Sequence, residues 1–172
     1  MSYFDTVLNW SPISRVRRNH ALEHATLQIL TRMIPNLSAA GYSDTNGFWI
    51  IGQVNTEALE QAVNEAASRL RAGEHQLAIH PNCGTNFVAA GAVAGTLAWL
   101  GMVFNRSGVR RNLERLPVLI SLVTVGIILA QPLGPMLQAR VTVNPNIGTL
   151  KVTEIARLQR TDAMVHRVRT VN

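Results

Sequence analysis

Ser11–Ile34, SPISRVRRNHALEHATLQILTRMI, is the stretch on which the fold turns. Ser11 and Pro12 read as a helix start, with a hydroxyl at the N-cap and a proline at the first helical position. The pattern runs unbroken to Pro35, which disfavours helical backbone at the residue before it. One face of this helix carries Ile13, Arg17, His20, Glu23, His24, Leu27 and Thr31. Ala21, Leu22, Ala25 and Ile29 make a second apolar side, so the middle of the helix is expected to be buried broadly. Gln28 between the faces, and Arg18 and Arg32 towards the ends, limit that burial. An ionisable cluster in such a setting needs partners or a metal.

Working outward, Ala39–Asp44 and Phe48–Val54 read as strands, joined at Thr45-Asn46-Gly47 by a turn that Asn-Gly favours. Asn55 or Thr56 caps a second helix whose stripe is Leu59, Ala62, Val63, Ala66 and Leu70, ending at Gly73. His75–His80, HQLAIH, reads as a third strand, broken by Pro81-Asn82. The order α-β-β-α-β predicts a two-layer α+β unit.

Phe87 to Phe104 is eighteen residues without a charge, long enough to span a bilayer with little tilt. Leu116 to Ala139 is a second charge-free run, opened by Pro117 and interrupted late by Gln131, Pro132 and Pro135. Together they predict a transmembrane hairpin inserted into the α+β unit; a buried helical pair in a soluble protein is the alternative. Gly91-x-x-x-Gly95 offers a close approach for a second helix, within the hairpin or between subunits of a homo-oligomer. Arg140–Val143, Leu150–Leu158 and Ala163–Val171 read as strands completing the sheet, with Gly148-Thr149 and Thr161-Asp162 as turns. The expected division is an α+β domain over 1–86, the hairpin over 87–139, and completing strands over 140–172. PNCGT at 81–85 parallels PNIGT at 145–149, which suggests a shared turn requirement and leaves His80 and Cys83 as the chemically unusual members.

Charge follows the same division. Only 15% of residues are charged, well below the usual quarter, while 47% are hydrophobic. Residues 1–86 carry six Arg against seven acids, whereas 105–115 contributes +3 and 139–172 contributes +4. The basic excess flanks the apolar run, where it suits lipid headgroups; arginines clustered with aromatics for nucleic acid are missing. MSYFDTVLNW lacks the basic and apolar regions of a secretory signal, although Tyr3, Phe4, Val7, Leu8 and Trp10 could lie at headgroup level or cap the soluble core. Cys83 is the sole cysteine, which excludes an intrachain disulfide and suits a reducing compartment. The arginine-rich short loop pulls the other way under the positive-inside rule. The expected placement is a multi-pass membrane protein with its folded part on the cytoplasmic face.

The chemistry concentrates at His20-Ala21-Leu22-Glu23-His24. At about 100° per residue, His20 and His24 stand about 40° apart, with Glu23 about 60° to the other side of His20. Two imidazoles one turn apart hold a metal, and a carboxylate beside them can move a proton. The order H-x-x-E-H is the inverzincin arrangement. A zinc hydrolase needs a third ligand: Cys83 comes first, His80 close behind, with His75 and His166 trailing. His75 could equally open a strand, and His166 lies among arginines on an expected solvated edge. The competing reading of His20 and His24 is a hydrogen-bonded pair around Glu23, and of Cys83 a small core hydrophobe.

HALEH at 20–24, followed by an α+β layer, resembles the inverzincin peptidases and S-ribosylhomocysteine lyase, which shares their general fold. In the lyase family the ligands are both His of H-x-x-E-H and a later Cys followed by Gly; His20, His24 and Cys83-Gly84 match. The lyase also uses a second cysteine, which this chain lacks. The peptidases take a distant Glu as third ligand, and only Glu114 and Glu154 lie far downstream. Over nearly the whole chain, HALEHAT with HPNCGTNF and the apolar hairpin resembles a bacterial membrane-protein family of unknown function. The expectation is a membrane-anchored, peptidase-like zinc metallohydrolase with His20, His24 and Cys83 as ligands and Glu23 as general base, acting on a peptide or membrane-protein substrate. The alternative is a non-catalytic scaffold with a structural zinc closed by His80, or a polar core.

Overall fold

The computed structural model describes residues 3–103, 115–160 and 163–171. The chain divides into two units, one of residues 1–80 with 139–172 and the other of residues 81–138.

In the first unit, helix α1 (Tyr3–Leu8) precedes α2 (Ser11–Met33). Trp10, not Ser11, stands at the N-cap of α2, and no side chain caps it; Ser11 already lies inside the first turn, so the expected serine cap is not made. Pro12 tolerates this early position because the amide it lacks has no helical acceptor there. Ile34 leaves the helix in extended backbone, φ −120°, as a residue before proline must. Residues Ala21–Leu27, Ile29 and Leu30 are all buried.

Strands β1 (Ala39–Asp44) and β2 (Gly47–Gly52) pair antiparallel. The Asp44 carboxylate accepts the Asn46 amide at 2.7 Å in the turn. Gly47 follows at φ +138°, and a Cβ there would stand 2.0 Å from the Val168 carbonyl oxygen, so only glycine fits. Asn55 caps α3 (Thr56–Arg71), its side-chain oxygen accepting from Ala58 N–H at 2.7 Å. The stripe Leu59, Ala62, Val63, Ala66 and Leu70 is buried.

Two expected strands are not formed. His75–Ala78 is a 3-10 turn, in which the adjacent Leu77 and Ala78 are both buried; an alternating strand cannot bury neighbours on one face. Arg140–Val143 falls largely within a π-helical turn, Gln138–Thr142. Here the following amide, Asn144 N–H, bonds to the Arg17 carbonyl of α2 at 2.9 Å instead of joining the sheet.

Strands β3 (Lys151–Arg160) and β4 (Ala163–Val171) complete a four-stranded antiparallel sheet in the order β1-β2-β4-β3. The turn expected at Thr161-Asp162 lies outside the described residues. Phe48 pairs with Val168 and Ile50 with His166, so the period of two puts all four on the same sheet face. Phe48, Ile50 and Val168 share one core with Leu22, Leu30, Leu59 and Leu70. Each such large side chain, fully buried, contributes about 1.5–3 kcal/mol of transfer free energy. The fold is α+β, with α2 and α3 layered on the sheet.

The second unit is helical. α4 (Gly84–Val103) packs against α5 (Leu116–Ala130), which is followed by the short α6 (Leu133–Leu137). Pro132 and the residues around it break the second run, and the axis bends by 45° between Leu116–Ala130 and Leu133–Thr142. Between α4 and α5 the close approach is not at Gly91 and Gly95, where an added Cβ would meet nothing within 4 Å of this chain. It lies at Gly126, where a Cβ would stand 3.1 Å from Ala94 Cα, and at Gly101, against Leu119 and Leu122. Spacing alone shows that a helix has a small face; which face meets a neighbour depends on where that neighbour sits. Most other apolar side chains of these helices face outward, among them Phe87, Val88, Trp99, Val118, Ile120 and Leu129.

Candidate metal centre

Helix α2 presents His20 and His24 one turn apart, their rings 4.2 Å between centroids and inclined at 60°. Each ring is held through Nδ1 by a backbone carbonyl from elsewhere in the chain. His24 Nδ1 faces the Ala78 oxygen at 2.6 Å, and His20 Nδ1 faces the Thr142 oxygen at 3.1 Å. A carbonyl can only accept, so each Nδ1 carries a proton, and in the neutral ring the lone pair is then on Nε2. This is the tautomer that a metal-ligating histidine held by an outer carbonyl adopts.

Cys83 follows His80 by three residues and is buried. Among the described residues, donor atoms of His20, His24 and Cys83 all lie within 4.8 Å of one another. Around a tetrahedral zinc with bonds of about 2.0–2.3 Å, donors stand about 3.3–3.8 Å apart. Two imidazoles and a thiol are a donor set that fits a soft or borderline divalent cation. The Cys83 thiol donates to Thr85 Oγ1 at 3.4 Å, and its carbonyl accepts the Asn86 amide at 2.9 Å.

His80 does not join that group, though its ring stands 5.5 Å from that of His24. His75 is exposed on the 3-10 turn. His166 is not on a solvated edge. β4 is an inner strand, and its parity turns His166 into the core, where Nε2 faces Thr56 Oγ1 at 3.1 Å.

Glu23 is buried against β1. The Ser43 hydroxyl donates to its Oε2 at 2.5 Å, and the carboxylate lies over Gly41, where a Cβ would stand 2.2 Å from Oε1. Gly41 therefore makes room for the carboxylate, and any side chain there would displace Glu23. Asn19, one turn earlier, donates to the Asp44 carbonyl at 2.8 Å and accepts from Thr170 Oγ1 at 2.7 Å, which locks this side of α2 to the sheet. Ser43, Gly41 and the carbonyls of Ala78 and Thr142 are absent from the candidates that the sequence suggests. A glycine beside an alternating strand residue is a faint signal for the first two. The carbonyls leave none, because every residue carries one.

Residues 15–155 match the family described as Domain of unknown function (DUF6391). The chain belongs to this family. The matched region of this DUF6391 protein runs from the first turns of α2 into β3, so it includes His20, Glu23, His24 and Cys83. An uncharacterized protein of Picosynechococcus sp. (strain ATCC 27264 / PCC 7002 / PR-6) is 40% identical over 98 residues, covering 49% of this chain and 48% of that protein. The match thus spans about half the length of that relative. No solved structure matches.

Proposed function

We propose that this DUF6391 protein is a membrane-anchored zinc metallohydrolase that cleaves a peptide bond. The observation that carries the proposal is the convergence of His20, His24 and Cys83, with both imidazoles held as the Nδ1–H tautomer. His20, His24 and Cys83 would hold the zinc, and the chemistry it would supply when bound is acidification of a water to a pKa of about 7. Glu23 adjoins His24 in sequence and serves as general base, taking a proton from the attacking water and returning it to the leaving amine. The Ser43 hydroxyl on Oε2 and the glycine beneath the carboxylate hold Glu23 in one orientation.

The membrane reading rests on α4 and the bent α5–α6 pair. α4 has 20 residues, about 30 Å of helix, carries no charged residue, and among its side chains buries Ala89 and Ala94. A core helix of a soluble protein would be covered; these side chains need lipid. Two crossings return the chain to its starting side, which we place in the cytoplasm because Cys83 suits reducing conditions.

Metal analysis of the detergent-purified chain tests the site. Stoichiometric zinc is expected, lost in His20→Ala and in Cys83→Ala. Glu23→Gln should keep the zinc and abolish hydrolysis of a peptide library. A protein that purifies without metal, and whose properties are unmoved by His20→Ala, refutes the metal site. Retained zinc with a fourth protein ligand at His80 would instead mark a structural site, since closed four-coordinate zinc is not catalytic.

A further inference from the structure

The two carbonyls that hold the histidines are flanked by carbonyls that side chains of α2 hold in turn. Gln28 donates from Nε2 to the Leu77 and Ile79 oxygens, both at 2.9 Å, and so straddles Ala78, whose oxygen holds His24. Arg17 donates from Nη2 to the Arg140 oxygen at 3.2 Å and the Val143 oxygen at 3.1 Å, straddling Thr142, whose oxygen holds His20. Its Nη1 reaches the Leu8 oxygen at 3.3 Å, and its own carbonyl accepts from Asn144 N–H at 2.9 Å. Arg17, His20, His24 and Gln28 fall within about 80° of one another on the helix, so one stripe carries both rings and both clasps.

We infer that Arg17 and Gln28 are positioning residues for the two imidazoles, Arg17 for His20 and Gln28 for His24. The inference builds on the metal reading above and adds to it the groups that fix ring orientation. An imidazole on a flexible χ2 has two faces and two tautomers to choose between. A carbonyl selects one of each only if the carbonyl stays in place. Ala78 and Thr142 lie 54 and 122 residues from the rings they hold, on a 3-10 and a π turn, not in the sheet ladder. Neither turn has strand neighbours to fix it, and the α2 side chains fix it instead. An arginine serves where three carbonyls must be reached; a glutamine amide suffices for two.

The test uses the full chain in detergent and reads the two rings separately by nitrogen chemical shifts, in metal-free protein at a pH where both are neutral. Wild type should show Nδ1–H for His20 and His24. Gln28→Leu should admit the Nε2–H tautomer at His24 alone, and Arg17→Met at His20 alone. Arg17→Lys, which keeps ammonium donors, should restore part of the His20 preference. With zinc added, each of the two disruptive variants should bind about 10- to 100-fold more weakly, as loss of an outer partner does elsewhere. General destabilisation would disturb both rings together; that result, or unchanged tautomers in both variants, overturns the inference. Wild type that shows the tautomers but binds no zinc would sink the hydrolase reading and leave this one standing.

Discussion

At the scale of single residues, the chain places polar groups inside its core and gives several of them a specific counterpart. Glu23 has Ser43 and the space over Gly41; Asn19 has Thr170 and the Asp44 carbonyl. His166 is different: Nε2 faces Thr56, but Nδ1 is buried without a hydrogen-bond partner among the described residues. Burial, and then the charge of Arg157, hold its pKa below the ordinary imidazole value, against an opposing pull from Glu57. The neutral ring is thus the folded form. The unfolded chain takes up this proton near pH 6.5, above the folded value, so between the two values the unfolded state holds more protons. The contribution of His166 to stability is therefore intact above about pH 6.5 and declines as pH falls through the folded pKa. Thermal unfolding at pH 7.5 and 5.5 should show a larger drop for wild type than for His166→Gln. Equal drops would remove His166 from the pH dependence.

At the scale of elements, local signals set the helices and the first hairpin, while packing set the rest. Asn55 before α3 and the Asn-Gly turn at 46–47 act through their own side chains and backbone, so they are legible in sequence. HQLAIH and RVTV look like strands by composition, yet neither joins the sheet, and each forms a tight turn that offers a carbonyl to α2. The helix pair makes the same point. Gly91 and Gly95 have the spacing of a packing motif, but between α4 and α5 it is Gly126 and Gly101 that make the contact. Gly126→Leu should overpack the seam at Ala94 and cost about 1–3 kcal/mol. Gly95→Leu should leave the α4–α5 pairing unchanged. Cysteine cross-linking between α4 and α5 in the two variants distinguishes them, and loss of cross-linking in Gly95→Leu alone would reverse the assignment of the seam.

At the scale of the whole molecule, the sheet is closed by segments from both ends of the sequence, β1 and β2 before the helical unit and β3 and β4 after it. The core of the first unit is supplied by its own residues. Replacing residues 81–138 by a short Gly/Ser linker should therefore yield a water-soluble α+β domain that unfolds cooperatively. On the zinc reading proposed above, it should bind that metal more weakly than the full chain, because Cys83 is gone while His20 and His24 remain. Insolubility without detergent would contradict the self-sufficiency of that core.

Linear pattern dictates α2 and its H-x-x-E-H pentad, the hairpin after it, the capped α3 and the two apolar runs. Each depends on periodicity or on a side chain acting within a few residues of itself, which one chain displays in full. The chemistry of His20, His24 and Cys83 also marks them as ligand candidates before any fold is known. Packing in three dimensions is what brings these three together while His80 stays outside the group, turns His166 to the core, and rests Glu23 on Gly41 and Ser43. Packing also selects which backbone carbonyls orient the imidazoles. A carbonyl is common to every residue and acquires a role through position, and position between remote segments is not encoded in local pattern.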